Sequence, residues 1–255
     1  MLLSRHLQKL KYHRTCTTNA ATATFEDDFH KNHIPTNIFQ KLALSVGSAA
    51  VSLLDPHRGD MIACLGETTG QQAAQYVLNK MESSPEGLEI LKQRPRINSM
   101  TVNLEKLKTY PEGTLGKIYS NFLERNQVTP DSRLMVQFVD DVNLAYVIQR
   151  YREVHDLIHT ILEMPTNMLG EVTVKWVEAI QTTFPMCIGG ALFGPIRLKP
   201  KHRQLYKQYY LPWAIKTGTN SDFLLNLFFE KRWEQPLVEL HKEVGISSLV
   251  LPSAK

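Results

Sequence analysis

His155, Asp156 and His159 stand as His-Asp-x2-His, and Glu171 follows after eleven further residues. Two imidazoles and two carboxylates are side chains that bind a divalent cation. On a helix, residues four apart return to within roughly 40° of one another, so His155 and His159 share a face. Asp156 stands about 100° from His155 and about 60° from His159, so all three fit one arc. Residues 164–167 (Met-Pro-Thr-Asn) read as a turn, from which Glu171 closes the site on the next helix. The histidine pair alone would equally suit two surface or satisfied histidines. The added carboxylates favour a metal.

The first three residues need a long helix. Asp140 or Asp141 is a good N-cap, and Leu144, Val147, Ile148, Tyr151, Val154, Ile158, Ile161 and Leu162 recur at helical spacing. That stripe centres about 60° from His155, which puts the ligands at the edge between core and cleft. Glu171 opens a helix expected over 171–184. Further helices are expected over 37–54, 71–81, 85–93, 115–126 and 233–244, with a short one at 104–107. Residues 66–70 read as a turn, and Glu67 as a helix-start acid, a ligand or a group that supports one. The apolar, glycine-rich stretch 186–198 reads as a buried hairpin or as a wall for a greasy ligand. The basic and aromatic run 199–213 suits either a membrane-surface helix or a solvated helix with an aromatic core face. Residues 223–229 are strongly apolar and read as core. Strand-like alternation, internal repeats and phosphate loops are not found. The expected fold is all-α: an irregular multi-helix bundle with a metal site between two adjacent helices.

The chain has 255 residues, 43% of them hydrophobic and 21% charged, enough for one sizeable core. No apolar run reaches the 18 or so residues that span a bilayer. Three distant cysteines, Cys16, Cys64 and Cys187, imply no disulfide framework. The formal charge of +4 is local. Residues 1–25 hold Arg5, Lys9, Lys11 and Arg14 and no acid; taking these four from 29 basic residues leaves 25, equal to the 25 acidic ones. A nucleic-acid footprint is therefore not expected. The acid-free, hydroxyl-rich start reads as a mitochondrial transit peptide over 1–25, cleaved between Arg14 and Phe25, leaving 26–255 as one helical domain.

The zinc-protease helix pattern needs Glu directly after its first His, and Asp156 stands there instead. An HD phosphohydrolase would need further His and Asp ligands spread over several helices, and these cannot be placed. The chain resembles the eukaryotic family of the fourth-numbered ubiquinone (coenzyme Q) biosynthesis protein. The family signature His-Asp-x2-His-x11-Glu is met by His155, Asp156, His159 and Glu171. Similar stretches surround it: Gly66-Glu67-Thr68-Thr69-Gly70, Arg94-Pro95-Arg96, Phe138-Val139-Asp140-Asp141, Ala145 to Val154, Met164-Pro165-Thr166-Asn167, and Phe193-Gly194-Pro195-Ile196-Arg197.

The resemblance implies a peripheral protein on the matrix side of the mitochondrial inner membrane, in a multi-enzyme complex with other ubiquinone-biosynthesis proteins. It implies a lyase that removes the ring carboxylate, with hydroxylation at that carbon, from a 4-hydroxy-3-methoxy-5-polyprenylbenzoate. It also implies zinc, although such ligands equally admit Co, Fe, Mn or Mg. Arg197 is a candidate partner for the substrate carboxylate. The alternatives are a non-catalytic, lipid-binding scaffold with a structural metal, and an HD-type phosphohydrolase.

Overall fold

The structure is a computed structural model that describes residues 24–55 and 58–252. The expected transit peptide lies outside the described residues except for Thr24 and Phe25. Thr24 caps the first helix, and Phe25 is buried edge-on against Tyr146. Among the described residues the regular elements are helices. They run α1 (Phe25–Asn32), α2 (Ile38–Leu54), α3 (Gly59–Thr69), α4 (Gln71–Glu82), α5 (Pro85–Gln93), α6 (Leu104–Lys108) and α7 (Leu115–Asn126). Then come α8 (Val142–Ile161), α9 (Met168–Thr182), α10 (Pro185–Phe193), α11 (Pro200–Leu205), α12 (Leu211–Asn220) and α13 (Leu237–Val244). The fold is an all-α bundle.

α8 is its axis. Nearly every side chain from Leu144 to Ile161 is buried. The apolar stripe explains one face; the others carry Gln149, Arg150, Arg152, Glu153, Asp156 and His159. Burying such groups unpaired costs several kcal/mol each when charged, so the surrounding chain must supply partners. Arg150 pairs with Glu230 and donates to Leu227 O. Arg152 Nη2 lies 2.6 Å from Glu67 Oε1. Glu153 accepts from Arg96 Nε at 2.7 Å and from the Ile97 amide at 2.8 Å. Gln149 Oε1 accepts from the Val136 amide at 3.0 Å.

Several boundaries differ from the sequence expectation. Residues 66–69 end α3 and are not a turn. Gly66 lies within the helix, and its missing side chain makes room for Met186: a Cβ there would lie 2.6 Å from Met186 Sδ. Gly70 alone makes the break. Glu67 is consequently neither a helix-start acid nor a ligand; its second oxygen accepts from the Gln137 and Phe138 amides at 2.8 and 2.7 Å. Residues 186–198 are not a buried hairpin. Pro185, just past the helix expected over 171–184, starts α10 at its first position, where no amide is needed. Residues 223–229 do join the core, through two short 3-10 turns.

The Arg152–Glu67 pair is sealed, with side chains 8% and 4% exposed. Glu67→Ala strands the guanidinium and is expected to cost about 3–5 kcal/mol in urea unfolding. Lys108→Ala, which breaks an exposed pair with Glu105, is expected to cost less than about 1 kcal/mol.

Candidate metal centre

Asp141 Oδ1 accepts from the Asn143 and Leu144 amides and starts α8. His155 and His159 then share a face near its C-terminal end, their rings edge to face with centroids 4.8 Å apart. Beyond α8 the chain turns sharply at Glu163, which has a left-handed φ of 53°. His159 Nδ1 donates to Met164 O at 3.2 Å. A carbonyl can only accept, so the lone pair of the neutral ring sits on Nε2.

Asn167 caps α9, its Oδ1 accepting from the Leu169 and Gly170 amides at 3.1 Å each. The turn is tight: a Cβ on Gly170 would lie 1.9 Å from Pro165 O. The helix therefore starts at Met168, three residues before its expected start, and Glu171 sits in its first turn. Glu171 Oε1 is 3.4 Å from His159 Nε2, and Oε2 is 3.8 Å from His155 Nε2. A tetrahedral ion with ligands at about 2.0–2.2 Å needs donors roughly 3.3–3.6 Å apart, close to these separations.

His159 Nε2 is buried without a hydrogen-bond partner. Leaving such an atom bare costs about 1–3 kcal/mol. Among the described residues, His155, His159 and Glu171 are the group of metal-type ligands whose donor atoms converge, all within 4.8 Å of one another. The trio fits a divalent cation.

Asp156 is not brought into the trio. Neighbouring residues on a helix diverge by about 100°, and Asp156 Oδ1 accepts from Arg133 Nη2 at 2.6 Å. Arg197 also lies apart: its Nη2 donates to Leu53 O at 2.6 Å.

Sequence reasoning missed the groups behind His155. His155 Nδ1 donates to Glu178 Oε1 at 2.6 Å. The other Glu178 oxygen accepts from Lys175 Nζ at 2.6 Å and from the Tyr151 hydroxyl at 2.9 Å. Glu171, Lys175 and Glu178 follow i, i+4, i+7 on α9, a spacing that marks one helix face and was available as a signal. Arg133 comes from an irregular loop and carried none.

Burial by itself would raise the carboxyls and lower the amine and the imidazole. Lys175 and His155 outweigh it at Glu178, whose pKa is held well below the usual carboxylate range. Lys175 is shifted up, its own burial offset by Glu178. His155 is also shifted up: burial and Lys175 oppose its charge, and Glu178 with Glu171 prevails. At Glu171, hydrogen bonds and positive charge from the two imidazoles when they are protonated overcome burial and hold the carboxyl far below its ordinary value. Burial pushes the nearby Cys187 thiol up to about 12, so it stays a neutral thiol and a poor ligand.

Residues 30–249 match the family model described as "Coenzyme Q (ubiquinone) biosynthesis protein Coq4". The chain belongs to the Coq4 family. A Bombyx mori protein named as a mitochondrial COQ4 homolog is 55% identical over 258 residues, covering 98% of this chain and 99% of the relative. The Rattus norvegicus COQ4 homolog is 49% identical over 251 residues, covering 97% of this chain and 95% of its own. A crystal structure from Nostoc punctiforme, assigned to ubiquinone biosynthesis, superposes with TM-score 0.63 at 21% identity, over 83% of this chain and 99% of that one. At that identity it shows a shared fold. The Coq4 signature is thus split in space here: its histidines and glutamate meet, and its aspartate pairs with an arginine.

The Glu178 contact is of the kind that orients a metal-binding imidazole. Glu178→Gln is expected to weaken divalent-metal binding about 10–100-fold in chelator competition. Asp156→Asn is expected to keep metal stoichiometry while lowering the unfolding midpoint, because Arg133 loses its charge partner.

Proposed function

We propose that this Coq4-family chain is a metal-dependent carbon–carbon lyase of ubiquinone biosynthesis. It removes the ring carboxylate from a 4-hydroxy-3-methoxy-5-polyprenylbenzoate, with hydroxylation at the same carbon. The reading places it in the mitochondrion, peripheral on the matrix side of the inner membrane, beside the other proteins of the pathway. The observation that carries the lyase reading is the convergence of His155 Nε2, the orphan His159 Nε2 and the Glu171 carboxylate.

His155, His159 and Glu171 would hold the cation. When bound, it supplies a Lewis acid and a template for the substrate's carboxylate or phenolate oxygen. The protein sets the charge there. Lys175 cancels Glu178, and Arg133 cancels Asp156. Glu171 alone is left against a dication, so one positive charge faces the anionic substrate. Glu178 keeps the His155 proton on Nδ1, which leaves Nε2 free as a donor. Loss of carbon dioxide leaves an electron pair on the ring carbon. A proton takes it in simple decarboxylation. Hydroxylation instead sends that pair to molecular oxygen, which leaves as hydrogen peroxide while water supplies the ring hydroxyl; redox-inert zinc would not itself carry those electrons.

The test is release of labelled carbon dioxide from a carboxyl-labelled prenylated hydroxybenzoate by purified full chain, loaded with zinc or iron, with and without air. Native protein is expected to release it. His159→Ala and Glu171→Gln, while remaining folded, are expected to be at least about a hundredfold slower. Equal release by these variants would contradict the lyase reading. So would a folded His159→Ala chain that restores ubiquinone synthesis in deficient cells, which is the behaviour of a scaffold.

A further inference from the structure

α2 and α10 present apolar side chains outward. Phe39 is 80% exposed, Leu54 86% and Ile196, just beyond α10, 70%; Leu42, Val46 and Phe193 are also exposed. On α2, residues 39, 42, 46 and 53 recur at three-four-seven spacing, so they form one stripe of the helix. α2 packs on α3, and α3 on α10. Arg197 joins the two outer surfaces by donating to Leu53 O. A Cβ built on Gly47 or Gly189 would meet nothing within 4 Å. No described part of the chain covers these two positions.

The segments that form this face carry charge of one sign. No Asp or Glu occurs from Ala179 to Ser221, and none from Asn37 to Leu54. Arg203 donates to Ile196 O and Leu198 O and so flanks the exposed Ile196. Lys199 and Lys201 are exposed beside it. Among the described residues, Arg197, Lys199, Lys201 and Arg203 lie in no ion pair. Acids stand only at the ends of α2: Asp140 is paired with Lys41, Asp60 with Arg58, and Asp55, the C-cap of α2, acts electrostatically on Arg58 as well.

We infer that the outer face of α2, α10 and the start of α11 seats on an anionic phospholipid bilayer. Its apolar side chains enter the interface, and Arg197, Lys199, Lys201 and Arg203 meet the headgroups. This names a surface for the peripheral association proposed above and is independent of the metal. Apolar groups supply buried area, and unpaired cations supply attraction to anionic lipid. A second copy of the chain fits less well. A two-fold contact would bring each basic cluster against its own copy, with no carboxylate in either segment to neutralise it. The face adjoins the trio: a Cβ on Gly194 would lie 2.5 Å from Val172, the residue after Glu171.

The test is flotation of the full chain with vesicles of phosphatidylcholine, with and without phosphatidylglycerol, at low and high salt. Binding is expected to require phosphatidylglycerol and to fall with salt. Lys199→Glu/Lys201→Glu and, separately, Phe39→Ser/Phe193→Ser are expected to reduce it at least about tenfold. Both variants should keep the native unfolding midpoint and metal stoichiometry, since every altered side chain is exposed. The leader is a second basic segment, so Arg5→Gln/Lys9→Gln/Lys11→Gln/Arg14→Gln serves as control and should float like native protein. Loss of flotation in that control alone overturns the inference. So does binding indifferent to both face variants, or a chain that dimerises through Phe39 and ignores vesicles. Failure of carbon dioxide release with normal flotation would count against the lyase and leave the surface standing.

Discussion

A buried helix that carries charge on every side must be answered by charge from every side. α8 meets this constraint through partners drawn from distant parts of the chain: Glu67 from α3, Arg96 and Ile97 from the loop after α5, Arg133 from the loop after α7, and Glu230 from a 3-10 turn. Each pair anchors a segment with little periodicity of its own. An unanswered charge in such a core is far more costly than a missing apolar contact, so these pairs restrict the ways the loops can close.

The same constraint shapes the centre. Arg133 and Lys175 neutralise Asp156, the neighbour of His155 in sequence, and Glu178, its hydrogen-bond partner in space. What remains is one carboxylate and two imidazole nitrogens, one of which, His159 Nε2, has no hydrogen-bond partner. Glu178 serves this arrangement at one remove. Its ionised form is secured by Lys175, and it in turn fixes the tautomer of His155. Gly170 and Asn167 perform the corresponding task for Glu171, by letting α9 begin against the Pro165 carbonyl.

Much of this was legible in the sequence, for identifiable reasons. A helix with a clear stripe and a clear cap, such as α8, was readable because both signals are local. So was the meeting of His155, His159 and Glu171, because helical spacing and a four-residue turn determine it. The pairing of Asp156 with Arg133 was not legible, because a helical wheel shows which arc a side chain occupies and says nothing of a guanidinium arriving from a loop. Glu67 was misread for the same reason: its partners, Arg152 and the amides of Gln137 and Phe138, lie far away in sequence. Proline at 185 was ambiguous, since the residue that ends one helix also suits the first position of the next. The stretches read as resembling the family in the first half of the chain, around Glu67, Arg96 and Phe138, looked scattered. Folded, they are largely the groups that answer α8.

The central claim is that two imidazoles from α8 and one carboxylate from α9 hold a single cation. X-ray absorption at the metal edge of the zinc-loaded chain tests this directly. The account predicts one ion per chain, with nitrogen and oxygen at about 2.0–2.2 Å and outer-shell scattering from two imidazoles. A sulfur shell at about 2.3 Å, or a spectrum without imidazole scattering, would contradict it.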